Sequence, residues 1–265
     1  MNLPDIQKSK NKKLVPINKV GIYQVKYPIN ISNKYGYNTY TVGKWSLYIY
    51  LSEKNKGTHM SRFIILIEKY YKHSMNYKHL KYISIKMIHL LISKKGEIKI
   101  SFLYFIKKIS PVSKITSIMD YEIHWISKVS LYEIKFILIL NIPVHSLCPC
   151  SKFISKYGAH NQRSLIKLSL VLEKFVNIEK IINFIEKKSS CELWSFLKRQ
   201  DEKYVTEYAY KHPKFVEDLL RDMSKCVSSI SGVSSYHLES KNFESIHNHN
   251  VYAKISCNAI FFNKL

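Results

Sequence analysis

The sequence predicts an α+β fold built from two similar units, on three observations. Stretches in which apolar and polar residues alternate recur along the chain, segments of helical period lie between them, and the same succession returns in the second half. Antiparallel strands with helices on one face satisfy that pattern, in the order β-β-α-α, twice. Taken in order, Lys44–Leu51 (KWSLYIYL), Glu97–Phe105 (EIKISFLYF) and Glu133–Leu140 have the two-residue period and the β-branched and aromatic content of strands. Helices are predicted over Met60–His73 and Lys78–Ser93. The second half predicts a strand at Ser164–Leu172 and helices at Ile178–Lys187 and Pro213–Ser229. Pro213 suits a first helical turn, where its missing N–H costs nothing. Strands at Ser234–Asn242 and Tyr252–Phe262 close the chain.

Composition bounds the function classes. The 265 residues are 46% hydrophobic with seven Gly and seven Pro, enough to bury a core and unlike a disordered or collagenous chain. No Gly-, Ser- or Pro-rich linker divides the halves, and no short repeat is present. Lys and Arg number 42 against 19 Asp and Glu, a formal charge of +23. Such a surface favours polyanions, yet Lys, Ile, Tyr, Asn and Ser are all abundant, as A- and T-rich codons would make them, so drift and a selected field both remain open. The five cysteines, 148, 150, 191, 226 and 257, are odd in number and scattered, which suits reduced thiols in a cytosol. The N-terminus, MNLPDIQKSKNKK, lacks an apolar h-region and no apolar run reaches the roughly 18 residues of a membrane span, so a cytoplasmic protein is expected.

Chemistry-bearing residues cluster in a few strings. Cys148 and Cys150 in Ser-Leu-Cys-Pro-Cys-Ser-Lys precede His160 by about a loop, at the end of an apolar strand. The spacing excludes a four-thiolate zinc site, since no second Cys pair follows. It leaves open buried structural thiols, a Cys-His nucleophile, and one thiolate of a mixed metal site. Acidic residues concentrate in Glu192–Glu207 and at Glu217-Asp218, where ion pairing on a helix explains some of them. His247 and His249 lie two apart after Glu244; in an extended segment both imidazoles share a face. Lys56, His59 and Arg62 surround a predicted helix start that Thr58 would cap, which is either a phosphate-binding surface or a plain basic helix end.

These strings, KGTHMSRF at 56–63, SLCPCSK at 146–152, YGAHNQRS at 157–164, SCELWSFLKRQDEKYVTE at 190–207, HPKFVED at 212–218 and NFESIHNH at 242–249, closely resemble GTP cyclohydrolase I of the type B family. Weaker likenesses, LPDIQ at 3–7, NKVGIYQVKYPI at 18–29 and KISPVS at 108–113, extend the resemblance over nearly the whole chain. It implies tandem tunnelling-fold modules, here 17–130 and 131–265 after a tail of 1–16, assembled as a homotetramer with active sites at subunit interfaces. It implies metal-dependent hydrolysis of GTP to 7,8-dihydroneopterin triphosphate and formate, the entry to tetrahydrofolate synthesis.

Residue by residue, the resemblance makes Cys148, His160 and Glu202 the ligands of one divalent ion (Mn2+, Zn2+ or Fe2+), with Glu244 close enough to join. A set of one sulfur, one nitrogen and one oxygen leaves a position for the water that attacks C8. Glu217 resembles the carboxylate that anchors guanine through its N1–H and 2-amino group. His247, His249 and Cys150 are the implied proton carriers, and Lys56, His59, Arg62, Lys198 and Arg199 the implied triphosphate contacts. The chain departs from the family's usual residues at His145, Tyr208, His212 and Lys241, none of them an implied ligand. Two alternatives remain: the tunnelling-fold NADPH-dependent nitrile reductase, whose signature is only hinted at in Glu239-Ser-Lys241, and a basic nucleic-acid-binding module. The latter is opposed by the absence of any RNP, KH or zinc-finger pattern.

Overall fold

The computed structural model describes residues 13–32 and 38–258. Its elements run β1 (Ile17–Ser32), β2 (Asn38–Leu51), α1 (Met60–Tyr70), β3 (Ser74–Met75), α2 (Tyr77–Leu90), β4 (Lys95–Ile109), β5 (Thr116–Ser130), β6 (Ile134–Leu147), α3 (Pro149–Ile154), β7 (Asn161–Leu172), α4 (Ile178–Glu186), α5 (Arg199–Lys211), α6 (Val216–Ser228), β8 (Val233–Asn242) and β9 (Val251–Asn258). Along the sheet the strands follow one another as β3-β1-β2-β4-β5-β6-β7-β8-β9. None of the described helices is long and apolar enough to cross a membrane. The string LPDIQ at 3–7, most of the tail and residues 259–262 of the last predicted strand lie outside the described residues.

Contacts divide the chain into two units, one reaching to Leu103 and including His124–Ile137, the other made of Tyr104–Ile123 and everything from Leu138 on. The expected boundary at 130/131 falls in the turn after β5. The grouping by contacts instead divides β4, β5 and β6 within their length, since strands of 15, 15 and 14 residues each extend roughly 50 Å.

In the first unit β1 and β2 form an antiparallel pair whose register slips between Ile22 and Val25. Gln24 there takes φ 52° and its N–H donates to Ser46 Oγ at 3.0 Å, the signature of a bulge. That bulge interrupts the alternation of β1, so its sequence lacks a continuous two-residue period. Helix α1 buries Phe63, Leu66, Ile67 and Tyr70, one stripe at helical spacing, and α2 buries Leu80, Ile83, Met87 and Ile88. The N-cap of α1 is His59, without a side-chain cap, rather than Thr58, which is buried. In α2 the Asn76 side chain accepts from His79 N at 2.9 Å.

The second unit repeats the logic. Strands β6 and β7 turn Leu138, Leu140, Ile142, Val144 and Ile166, Leu168, Leu170 inward, and β8 adds Tyr236 and Leu238. Helices α4 (Ile181, Ile182, Ile185) and α6 (Leu219, Leu220, Met223, Val227) supply apolar stripes at helical spacing. Helix α5 presents a narrower stripe: of its residues only Asp201 and Ala209 are buried, with Val205 partly buried against Leu147 and Cys191.

Candidate active site

Strand β6 delivers Cys148 to the edge of a cavity, where it is the N-cap of α3 with Pro149 in the first turn. Its sulfur accepts from Ser151 N at 3.4 Å. The chain then loops back. Cys148 N donates to His160 O at 3.2 Å and His160 N to Ser151 Oγ at 3.1 Å, so thiol and imidazole are held by the backbone of a single closed loop. Gly158 makes the return at φ +140°, a conformation L side chains rarely adopt.

The second half of the site comes from β8. Pairing of β7 with β8 sets Ser164 opposite Asn242, and Phe243 N donates to Arg163 O at 3.1 Å beyond it. Gln162, two residues before Ser164, and Glu244, two residues after Asn242, therefore meet: Gln162 Nε2 donates to Glu244 Oε1 at 3.2 Å. On its other side Gln162 Oε1 lies 3.1 Å from His160 Nδ1, while Glu244 Oε2 stands 3.7 Å from that nitrogen. Residues 245–249 form bends rather than an extended strand. His247 and His249 still come together, because their rings stack at 5.0 Å, and His247 meets His160 edge to face at 6.1 Å. Glu217, in the first turn of α6, completes the lining, with Lys214 beside it. The cavity measures about 260 Å³ and gathers Cys148, His160, Glu217, Glu244, His247 and His249.

Cys150, Glu202, Lys198 and Arg199 are exposed and do not line this cavity, nor do Lys56, His59 and Arg62 of the first unit. Arg62 instead donates to the Leu90 carbonyl at 3.2 Å, at the end of α2. Among the described residues no group of three or more His, Cys, Asp or Glu is disposed to hold a metal ion. The donors that do share the cavity, one thiol, imidazoles and carboxylates, are of the types that a borderline divalent cation accepts. A cleft of about 310 Å³ in the first unit is lined by Lys19, Tyr48, Lys95, Glu97, Lys128 and Lys135 among others, but by no Cys or His.

Two supports were not apparent from the sequence. Asp201 is fully buried and accepts from Val112 N and Ser113 N at 2.8 Å, Ser113 Oγ at 2.5 Å and Lys198 N at 2.9 Å. Burial alone would raise its pKa, but the hydrogen bonds from Ser113, Lys198 and Val112 outweigh it and hold the carboxyl well below the usual range. The start of α5, with Lys198, Arg199 and Glu202, is thereby tied to the 110–113 turn. Close by, buried Lys108 bridges Glu186 and Glu192, both at 2.9 Å, under the Trp194 ring, and Tyr121 donates to Glu186 at 2.7 Å. Burial lifts Glu186 above the usual carboxylate range despite Lys108, and pushes the Cys191 thiol up to about 11. None of the five cysteines forms a disulfide.

The fold matches solved uricases. The uricase of Arthrobacter globiformis superposes with a TM-score of 0.55 over 91% of this chain and 93% of its own, at 6% identity, and the urate oxidase of Bacillus subtilis 168 with 0.53 over 91% and 98%, at 7%. The class is thus a tandem tunnelling fold, a likeness of architecture alone. Within that class, a family model described as type I GTP cyclohydrolase folE2 matches residues 3–253. GTP cyclohydrolase FolE2 of Bordetella petrii is 46% identical over 253 residues, 96% of each chain. Its namesakes in Herminiimonas arsenicoxydans and Neisseria meningitidis serogroup C are 46% and 43% identical over 96% of this chain and 96% and 85% of theirs. The chain belongs to the type I GTP cyclohydrolase folE2 family.

Proposed function

We propose that this protein is a GTP cyclohydrolase, hydrolysing GTP to 7,8-dihydroneopterin triphosphate and formate. The observation that carries the reading is the cavity itself, about 260 Å³, whose lining gathers Cys148, His160 and Glu244 with Glu217, the carboxylate proposed to anchor guanine. Glu217 offers two acceptor oxygens at the N-terminal turn of α6, where the helix dipole favours negative charge. Guanine N1–H and its 2-amino group match that pair. Adenine has no such donors and would leave the carboxylate unpaired, so ATP is rejected.

Cys148, His160 and Glu202, with Glu244 in reserve, are the residues proposed to hold one divalent ion. Such an ion would polarise water so that it ionises near neutral pH. Around it, His247 and His249 are the proposed carriers of protons to and from the opening imidazole ring and the ribose oxygen, with Cys150 as a further one. For the triphosphate the proposal keeps Lys56, His59, Arg62, Lys198 and Arg199. The cavity's own cationic side chain is Lys214, paired with Asp222 at 2.7 Å. A homotetramer with interfacial sites, in the cytoplasm, completes the proposal; cysteines without disulfides and a cavity lined by none of the proposed phosphate contacts support it.

The test is to strip metal, restore Mn2+ or Zn2+ separately, add GTP, and follow formate together with pteridine fluorescence after oxidation. Both products should depend on added metal. GTP left intact under every metal would overturn the reading. The nitrile reductase alternative would instead show NADPH oxidation with a nitrile.

A further inference from the structure

We propose that Gln162 is a positioning residue that decides which ring nitrogen of His160 carries the proton and which is left with a free lone pair. The inference rests on the reading above only in taking His160 as a ligand. Gln162 is 9% exposed, and the side chains of His160 and Glu244 that flank it are 11% and 7% exposed, so water competes little for their hydrogen bonds. Its place is set by the β7–β8 register, not by a flexible side chain searching for partners.

Polarity then runs one way through the three residues. An ionised carboxylate only accepts, so Glu244 requires the NH2 end of the Gln162 amide, as its 3.2 Å contact from Nε2 shows. The amide oxygen is left for His160, 3.1 Å away, and oxygen cannot donate. His160 must therefore carry its proton on Nδ1, which leaves the lone pair on Nε2. Glu244 cannot impose this directly, because its oxygen is 3.7 Å from Nδ1. An imidazole so fixed presents Nε2 as a ready ligand for a divalent cation, the arrangement in which a hydrogen bond at one ring nitrogen orients the other.

The experiment uses metal-free full-length protein labelled with 15N-histidine at about pH 8, where imidazoles are largely neutral. Long-range 1H–15N correlation reads the tautomer directly, and the His160 signals are identified by their loss in His160→Gln. The wild type should show a protonated Nδ1 and a bare Nε2. In Gln162→Met the ring should relax to a mixture led by the Nε2–H form, and Zn2+ affinity, from chelator competition, should fall about 10–100-fold. Glu244→Gln frees the amide to turn and should also mix the tautomers although Gln162 is intact. A wild-type proton on Nε2, or variants with unchanged tautomer and unchanged Zn2+ affinity, would overturn the inference. The nuclear signals are read without GTP. A protein with the expected tautomer that releases no formate would defeat the cyclohydrolase reading and leave this one standing.

Discussion

Glu217 and Cys148 make opposite demands on a substitution. Glu217→Gln replaces one acceptor by a donor that faces the guanine 2-amino group; the loss belongs to binding, so KM for GTP should rise about 10–100-fold with a smaller change in kcat. An unchanged KM would show that the base is anchored elsewhere. Cys148→Ala removes a proposed ligand and should abolish formate release. The thiol also caps α3, but only weakly, through a 3.4 Å contact from Ser151 N, so the melting temperature should hardly move. Full activity in that variant would remove the sulfur from the metal assignment.

At the scale of elements, α5 depends on one carboxylate in its first turn, whose partners at Val112 and Ser113 lie far away in sequence. Lys198 has no acceptor with which to cap the helix, and Asp201 does the work from the third helical position. The sign of its pH dependence follows from its depressed pKa. The stability it confers is fully present above the unfolded-state value of about 3.9 and is lost as pH falls below that toward the folded value. Asp201→Asn should therefore lower the urea midpoint at pH 7 and differ progressively less from wild type as the pH drops below about 4. A constant difference across that range would place the effect elsewhere. Lys108 ties the β4 end to the 186–192 segment from within the core. Lys108→Met leaves Glu186 buried beside Tyr121 without its cation, and should cost about 3–5 kcal/mol in denaturant unfolding. Adding Glu186→Gln should recover part of that loss.

For the whole molecule, charge and metal separate cleanly. A formal +23 should make the protein retain bulk RNA at about 50 mM salt and release it by about 200 mM, without preference for sequence. Sequence-selective retention at the higher salt would revive the nucleic-acid reading. Metal acts differently: at about 100 times its Kd a ligand that binds only the folded state adds roughly 2.7 kcal/mol, so Mn2+ or Zn2+ should raise the melting temperature of stripped protein. Without Cys148 that rise should shrink.

The sequence by itself determined the α+β class, most strands and helices, and the strings that carry the family. Alternation and helical stripes survive in strands and helices that bury one face, as β6, β7 and α6 do. The sequence of β5 carries the same mark, with Met119, Tyr121, Ile123 and Trp125 buried in alternation. The Cys148–His160 loop could be read because both residues lie on one short stretch of chain. Tertiary structure alone decided the rest. A bulge at Gln24 broke the period of β1, and the start of α5 is secured by a hydrogen-bonded carboxylate while its apolar contact is confined to Val205 and Ala209 against Leu147 and Cys191. Gln162 meets Glu244 across 82 residues because strand register places them opposite, and Asp201 reaches Val112 across 89. Pairing over such separations is fixed by backbone hydrogen bonds and burial, which act in space and leave no mark on neighbouring letters.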